Sequence, residues 1–186
     1  MDNMKKLLLL LAVVLTTACS QTPINNRYAN ANWSAIVIAP VEGKKAEAIE
    51  MEYDRQFSIS DKVVVYSPDY VQQLLLKHQL VEQFELNPQA TMLNITKKLN
   101  ADAVLFSKVS TSKTKNQFTG IPITSLYTKL VSSDKQSVVI ATHHEAGGIM
   151  TDSNITELVT STVDDLNSAL DKINPATKKA WYDLGL

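Results

Sequence analysis

One cysteine, five glycines and six prolines are all that this chain of 186 residues carries of those types. A lone cysteine, Cys19, leaves no internal disulfide, so the fold must be held by packing. No glycine-rich phosphate cradle of the Walker or Rossmann kind appears, and no nucleophile elbow or zinc-binding pattern. Neither charge dominates: 18 basic and 19 acidic side chains give a net charge of −1. That balance supplies no general pull toward nucleic acid or an anionic lipid surface. No internal repeat or low-complexity tract is visible. Long apolar runs are missing too. The most apolar stretch, Leu7–Ala18, has twelve residues, against the roughly 20 that a bilayer-spanning helix needs.

What is present begins at the N-terminus. Lys5-Lys6 precede the apolar block Leu7–Leu15, and Thr16-Thr17-Ala18 lead to Cys19. A basic start, a short apolar core and small residues before a cut site are the parts of a secretory signal peptide. With Cys19 at the cut, the segment resembles a bacterial lipoprotein signal with its lipobox. The resemblance implies cleavage after residue 18 and acylation of Cys19 by diacylglycerol and palmitate, three chains in all; two or more hold a protein firmly. Ser20 stands where Asp usually retains such lipoproteins in the inner membrane, which implies an outer-membrane anchor facing the periplasm. Cleavage removes Asp2, Lys5 and Lys6 and leaves 168 residues with 16 basic and 18 acidic side chains, a length that suits one domain. Residues 19–32 read as the lipidated cysteine and a polar, aperiodic tether, and 33–186 as a periplasmic domain.

Within that domain the strand and helix signals alternate. Ile36-Val37-Ile38, ended by Pro40, is expected as a buried first strand. Lys44–Glu52 is a ragged helix candidate through Ala46, Ile49 and Met51, and Phe57-Ser58-Ile59 a strand candidate. Val63–Tyr66 is a further strand. Ser67-Pro68-Asp69 places an N-cap, a Pro at the first helical position and an acid at the positive end of the dipole. A helix from Pro68 to about Leu80 follows through Val71, Leu74, Leu75 and His78. Phe84-Glu85-Leu86 reads as a short strand. Asn87-Pro88 repeats the capping device before Met92, Ile95, Thr96 and Leu99, and Asn100 ends that helix in the left-handed region. Ala103–Val109 is a central strand, apolar on both faces at its start. Thr111–Gly120 is a polar loop. Ile123–Val131 and Gln136–His144 flank the turn Ser132–Lys135 as a hairpin, which Gly147-Gly148 breaks. Asn154 with Glu157 resembles a capping box, opening a helix whose stripe Ile155, Leu158, Val159, Thr162, Val163, Leu166, Leu170 and Ile173 is expected to cover the sheet. Asn174-Pro175 ends it, and Ala176–Leu186 reads as a short terminal helix packing Trp181 and Tyr182. The order implies an α/β (α+β) class: a single domain with a mixed β-sheet and helices packed on it.

Three of these stretches carry a resemblance. Leu99-Asn100-Ala101-Asp102 running into Ala103–Phe106, the hairpin Leu130–Val139 and the opening strand Ile36–Pro40 resemble a family of periplasmic α/β domains. That family includes the N-terminal domain of TolB, the curli secretion lipoprotein CsgG and the LpoB-type lipoprotein activators of penicillin-binding proteins. The resemblance implies a non-enzymatic envelope role. An LpoB-type activator has a long disordered tether, where this chain has thirteen residues after Cys19. A CsgG-type channel needs paired alternating segments of roughly 10 residues to cross a membrane, and none is found. An accessory or assembly part, bound to an envelope protein or to itself, is the expectation.

His143-His144-Glu145 invites a metal, but on a strand the two histidines point to opposite faces and cannot share an ion. Glu47, Glu50, Glu52 and Asp54 crowd one region and are the only candidates for acid–base catalysis by a tethered hydrolase; a solvated face is the plainer expectation. Asp102 reads as a turn residue. No catalytic residue, metal or cofactor is therefore expected. Phe118, Ile121, Pro122 and Tyr127, near Lys113 and Lys115, form a candidate interaction patch, since aromatics beside cations are common at interfaces; the same apolar residues could equally fold back onto the sheet. A small-ligand or lipid carrier would need an apolar cavity.

Overall fold

The computed structural model describes residues 24–57, 62–112, 123–147 and 152–175. Cys19, Lys113, Lys115, Phe118, Ile121, Pro122, Trp181 and Tyr182 lie outside them. Five strands, β1 (Ala35–Ile38), β2 (Val64–Tyr66), β3 (Ala103–Thr111), β4 (Ile123–Ser132) and β5 (Val138–Gly147), form one sheet in the order β2-β1-β3-β4-β5. β1 pairs parallel with β2 and with β3, while β3–β4 and β4–β5 are antiparallel. Helices α1 (Ala46–Phe57), α2 (Pro68–Lys77), α3 (Val81–Leu86), α4 (Pro88–Lys98) and α5 (Asp152–Ile173) pack on it. This is the mixed-sheet α/β domain that the alternation of signals implied.

The period of two along β1 and β3 divides the core into two layers. Ile36, Ile38 and Leu105 face α1 and α5, where they meet Ile49, Leu158, Val159 and Leu166. Ala35, Val37 and Val104 face α2 and α4, against Val71, Leu75 and Met92. The α5 stripe is buried along its whole length, from Ile155 to Ile173.

The two Pro-initiated helices start where expected. Ser67 Oγ accepts from Tyr70 N at 3.3 Å, and Asn87 Oδ1 accepts from Ala90 N at 3.2 Å. Asn100 takes φ 52°, and the Ser132–Lys135 turn joins β4 to β5.

Several expectations are corrected. Phe84-Glu85-Leu86 belongs to helix α3: Phe84 N donates to Leu80 O at 2.8 Å, and Thr91 Oγ1 donates to Gln83 O at 3.1 Å. Val81 and Phe84 are three residues apart, so the same letters satisfy a helical turn as readily as a strand. Phe57 closes α1 instead of opening a strand, and Met51, assigned to the apolar face, is 68% exposed. α2 stops at Lys77; His78 is its exposed C-cap, not a packed face residue. Asn154 is not an N-cap, because α5 begins at Asp152; its amide donates to Gly147 O at 3.2 Å and ties the helix start to β5.

The expected tether through Asn32 is also corrected over Ile24–Asn32. Asn25 N donates to Val139 O at 2.9 Å, Asn30 N to Lys172 O at 3.1 Å and Asn32 N to Ile173 O at 3.0 Å. Tyr28 is buried, edge-on to Trp33 at 5.7 Å. Asn174 then locks this segment to α5: its Oδ1 accepts from Trp33 N at 2.6 Å and its Nδ2 donates to Trp33 O at 2.7 Å. The polar composition of these residues is used in backbone pairing, a use that hydropathy does not register.

Candidate functional site: an open sheet face

Among the described residues, one half of the sheet is covered on one side only. The first layer holds α5 against β4 and β5, but α2 and α4, on the other side, pack over β1 and β3. Strand alternation therefore leaves Phe106 and Lys108 of β3, Tyr127 and Lys129 of β4, and Ala141 and His143 of β5 on the open side. Their register brings them together: Lys108 pairs with Tyr127, Tyr127 with His143, and Lys129 with both Phe106 and Ala141. Helix α3, which buries none of its own residues, stands beside them. The result is an open groove of about 690 Å³ whose walls include Pro40, Phe84, Leu86, Phe106, Tyr127 and His143.

Its apolar residues are unusually accessible, Leu86 at 81% and Tyr127 at 46%. The rings are nonetheless ordered. Tyr127 and His143 stack with centroids 4.1 Å apart and planes 7° from parallel. Lys129 Nζ sits 5.2 Å from the Phe106 centroid and donates to Gln89 Oε1 at 3.3 Å. A cation over a ring is held at modest cost to its hydration, so Lys129 stays available as a positive charge at the groove floor. Lys108 and Glu42 pair loosely at 3.7 Å on the rim. An apolar surface with stacked aromatics and one or two cations can hold an apolar group beside a negative charge.

The two histidines separate as strand geometry requires. His143 faces the groove, while His144 Nε2 lies 3.0 Å from Asp165 Oδ2 of α5 on the other side of the sheet. Among the described residues no group of three or more His, Cys, Asp or Glu could hold a metal ion. No described helix is long and apolar enough to cross a membrane.

The four carboxylates sit on α1. Glu50 is buried, contrary to a solvated face, and Val41 N donates to its Oε1 at 2.7 Å. Gln72 Nε2 reaches Oε2 at 3.4 Å. Burial raises the Glu50 pKa above the ordinary carboxylate value; the Val41 N–H offsets part of this, and Asp69, Asp54 and Glu47 push it up further. Burial, then Asp69, raises that of Asp54. Glu52 turns away and is held low by hydrogen bonds from Arg55, at 2.9 and 2.5 Å. Glu50 is thus a buttress for the loop between β1 and α1. Its replacement by Ala should cost about 2 kcal/mol in urea unfolding, because Val41 N is left unsatisfied. Glu50→Gln keeps an acceptor and removes a charge whose folded pKa is raised. The native carboxyl favours folding fully below the unfolded pKa, near 4.5, and loses that contribution as pH rises through the folded one. The Gln variant should therefore be more stable than the native protein at pH 7, with the advantage gone by about pH 4. Equal losses for Ala and Gln would sink the buttress role.

Of the expected patch, Tyr127 lines the groove; Lys113, Lys115, Phe118 and Ile121 fall in the connection from β3 to β4, outside the described residues. Phe84, Leu86, Phe106, Lys129 and His143 were not anticipated as partners of Tyr127. The hairpin pairing did signal that Tyr127 would meet its cross-strand neighbours. Nothing in the sequence signalled which face α5 would leave bare.

No known family model matches the chain, and no curated protein does. Solved structures do. The PelC dodecamer from Paraburkholderia phytofirmans is similar at 16% identity and TM-score 0.47, over 81% of this chain and 92% of that one. Lipoprotein GNA1162 from Neisseria meningitidis is similar at 16% identity and TM-score 0.45, over 72% and 98%. The LpoB C-terminal domain from Escherichia coli is similar at 13% identity and TM-score 0.45, over 65% and 85%. LpoB, named by the sequence resemblance, is thus among the folds that this chain is like.

Proposed function

We propose that the chain is an outer-membrane lipoprotein, acylated at Cys19 and facing the periplasm, that works as a non-enzymatic accessory or assembly module. Its task is to hold a peptide segment of a second envelope protein in the groove on β3–β5. The observation that carries this is the bare half-sheet: apolar side chains, a stacked Tyr127–His143 pair and Lys129 gathered on a face that no described helix covers. Soluble domains seldom leave such apolar surface without a use. Lys129 and Lys108 favour a segment that combines an apolar side chain with a carboxylate. The candidate contact residues Lys113, Lys115, Phe118 and Ile121 belong to the same proposal.

Two other roles fit less well. A hydrolase would need the α1 carboxylates free for substrate, whereas Glu50 is committed to Val41 N. A lipid carrier would need an enclosed cavity, whereas this groove is open.

A photo-crosslinking residue in place of Tyr127, activated in intact envelopes, tests the proposal. One specific second protein should be captured, and Lys129→Glu should reduce the yield by about tenfold, the effect of opposing one buried charge. The same probe at Met51, exposed on α1, should capture nothing specific. If only copies of the chain itself are joined, the module is a homo-oligomeric scaffold. If Tyr127 captures no more than Met51, the groove is not a binding site.

A further inference from the structure

Although net charge is close to zero, the fold sorts its charges along the strand direction. Parallel strands β1, β2 and β3 begin at one end of the molecule, and the helices preceding them must finish there. α4 ends at that end with the exposed lysines Lys97 and Lys98. Three hydrogen bonds fix this placement: Asp102 N to Ala35 O at 2.8 Å, Ser133 N to Asp102 O at 2.8 Å and Ser133 Oγ to Ala101 O at 2.8 Å. They join the end of α4, the start of β1 and the β4–β5 turn. That turn contributes Lys135, whose side chain is 53% exposed, and the last turn of α5 contributes Lys172. Arg27 is exposed on the adjoining N-terminal turn.

The acids at this end are already engaged. Asp102 Oδ2 accepts from Ser34 N at 2.7 Å and Ala35 N at 3.1 Å, Asp171 pairs with Lys62 at 2.9 Å, and Asp134 is held by Ser132 and lies 4.0 Å from Lys135 Nζ in an exposed pair that leaves Lys97, Lys98 and Arg27 in excess. At the opposite end, where β1 and β2 finish, Glu47, Glu50 and Asp69 gather at the starts of α1 and α2. Complementing helix dipoles explains why acids and bases favour opposite helix ends. Aligning several helices with one sheet turns that local preference into a molecular polarity.

The basic end is also where the chain emerges toward its N-terminus. Ile24 is the first described residue, and Asn25 is fixed beside Val139. Five residue steps separate Cys19 from Ile24, at most about 18 Å when extended. We propose that this basic end docks on the anionic phospholipid surface of the leaflet that holds the anchor, a docking that rests on acylation of Cys19. Strand β4 ends at this surface, so Tyr127, four residues before Val131, stands about 14 Å farther from the bilayer. The groove is presented to the periplasm with a fixed orientation.

The test uses full-length protein extracted from membranes and reconstituted into vesicles. One set contains phosphatidylethanolamine with phosphatidylglycerol, the other phosphatidylcholine alone. A membrane-impermeant amine reagent is applied and labelling is read lysine by lysine by mass spectrometry. Lys97, Lys98 and Lys135 should label roughly fivefold more slowly on the anionic vesicles than on the neutral ones, with the difference erased by high salt. Lys44 and Lys108 should label equally on both. Replacing Lys97 and Lys98 together by Glu should abolish the protection of Lys135 while leaving the protein attached. Equal labelling on the two vesicle types, or protection that ignores salt, overturns the docking and leaves the anchor intact. Failure to float with neutral vesicles would refute the acyl anchor itself, and the docking with it.

Discussion

Replacing Cys19 by Ala is expected to remove the acyl mass from the protein and shift it from the membrane to the soluble fraction. The expected effect is close to complete, because each buried methylene contributes about 0.8 kcal/mol and anchors of two or more chains are effectively stable. No described helix can substitute. The apolar stretch Leu7–Ala18 is too short to span, and no described helix is long and apolar enough to do so. The basic end adds only a salt-sensitive attraction. Fractionation after a salt wash, with intact mass of the protein, checks the result. Persistence of Cys19→Ala in the washed membrane would show that another element holds the protein, and the lipoprotein assignment would fall.

Gly43→Ala is expected to be the most damaging conservative substitution in the described residues. Gly43 has φ 114°, a backbone region that a side chain opposes. A Cβ there would lie 2.1 Å from the Val109 carbonyl oxygen and 3.1 Å from Val109 Cγ1. The close approach has a purpose. Glu42 N donates to Ser107 O at 3.0 Å and Val109 N donates to Glu42 O at 2.8 Å, so Glu42 continues the pairing of β1 along β3. Strain and lost pairing together should cost about 3 kcal/mol or more, a fall in Tm of roughly 10 °C for a domain of this size. Lys44→Ala, one residue away and exposed, should change stability by less than about 0.5 kcal/mol. Thermal and urea unfolding of the pair decide it; a Gly43→Ala loss below about 1 kcal/mol would contradict the path of this loop. Because Pro40 and Glu42 line the groove, a surviving variant should also lose partner crosslinking.

Elements whose signals are local were legible. Ser67-Pro68 and Asn87-Pro88 start helices because the capping oxygen and the fixed proline φ act within four residues of each other. The long stripe of α5 was legible because one period continues over twenty-two residues. The turn between β4 and β5 needed only its own polar residues. Where the letters fit two periods, the outcome was decided from outside. Phe84-Glu85-Leu86 became helical because the Leu80 and Gln83 carbonyls found partners there. Ile24–Asn32 packed on the domain because Val139, Lys172 and Ile173 offered backbone acceptors. Glu50 went inward because Val41 N lay within reach across the loop.

By itself the sequence determined the class of the fold, the starts of the two Pro-initiated helices, the lone cysteine behind its signal-like leader, and the separation of His143 from His144. Each of these depends on neighbours along the chain or on the period of one element. The tertiary structure alone decided that Tyr127 shares a groove with Leu86, Phe106 and His143, and that a nearly neutral chain has a basic end beside its N-terminal segment. Both arise from which face each helix covers and from helices aligned against parallel strands, relations between residues far apart in sequence that no local pattern encodes.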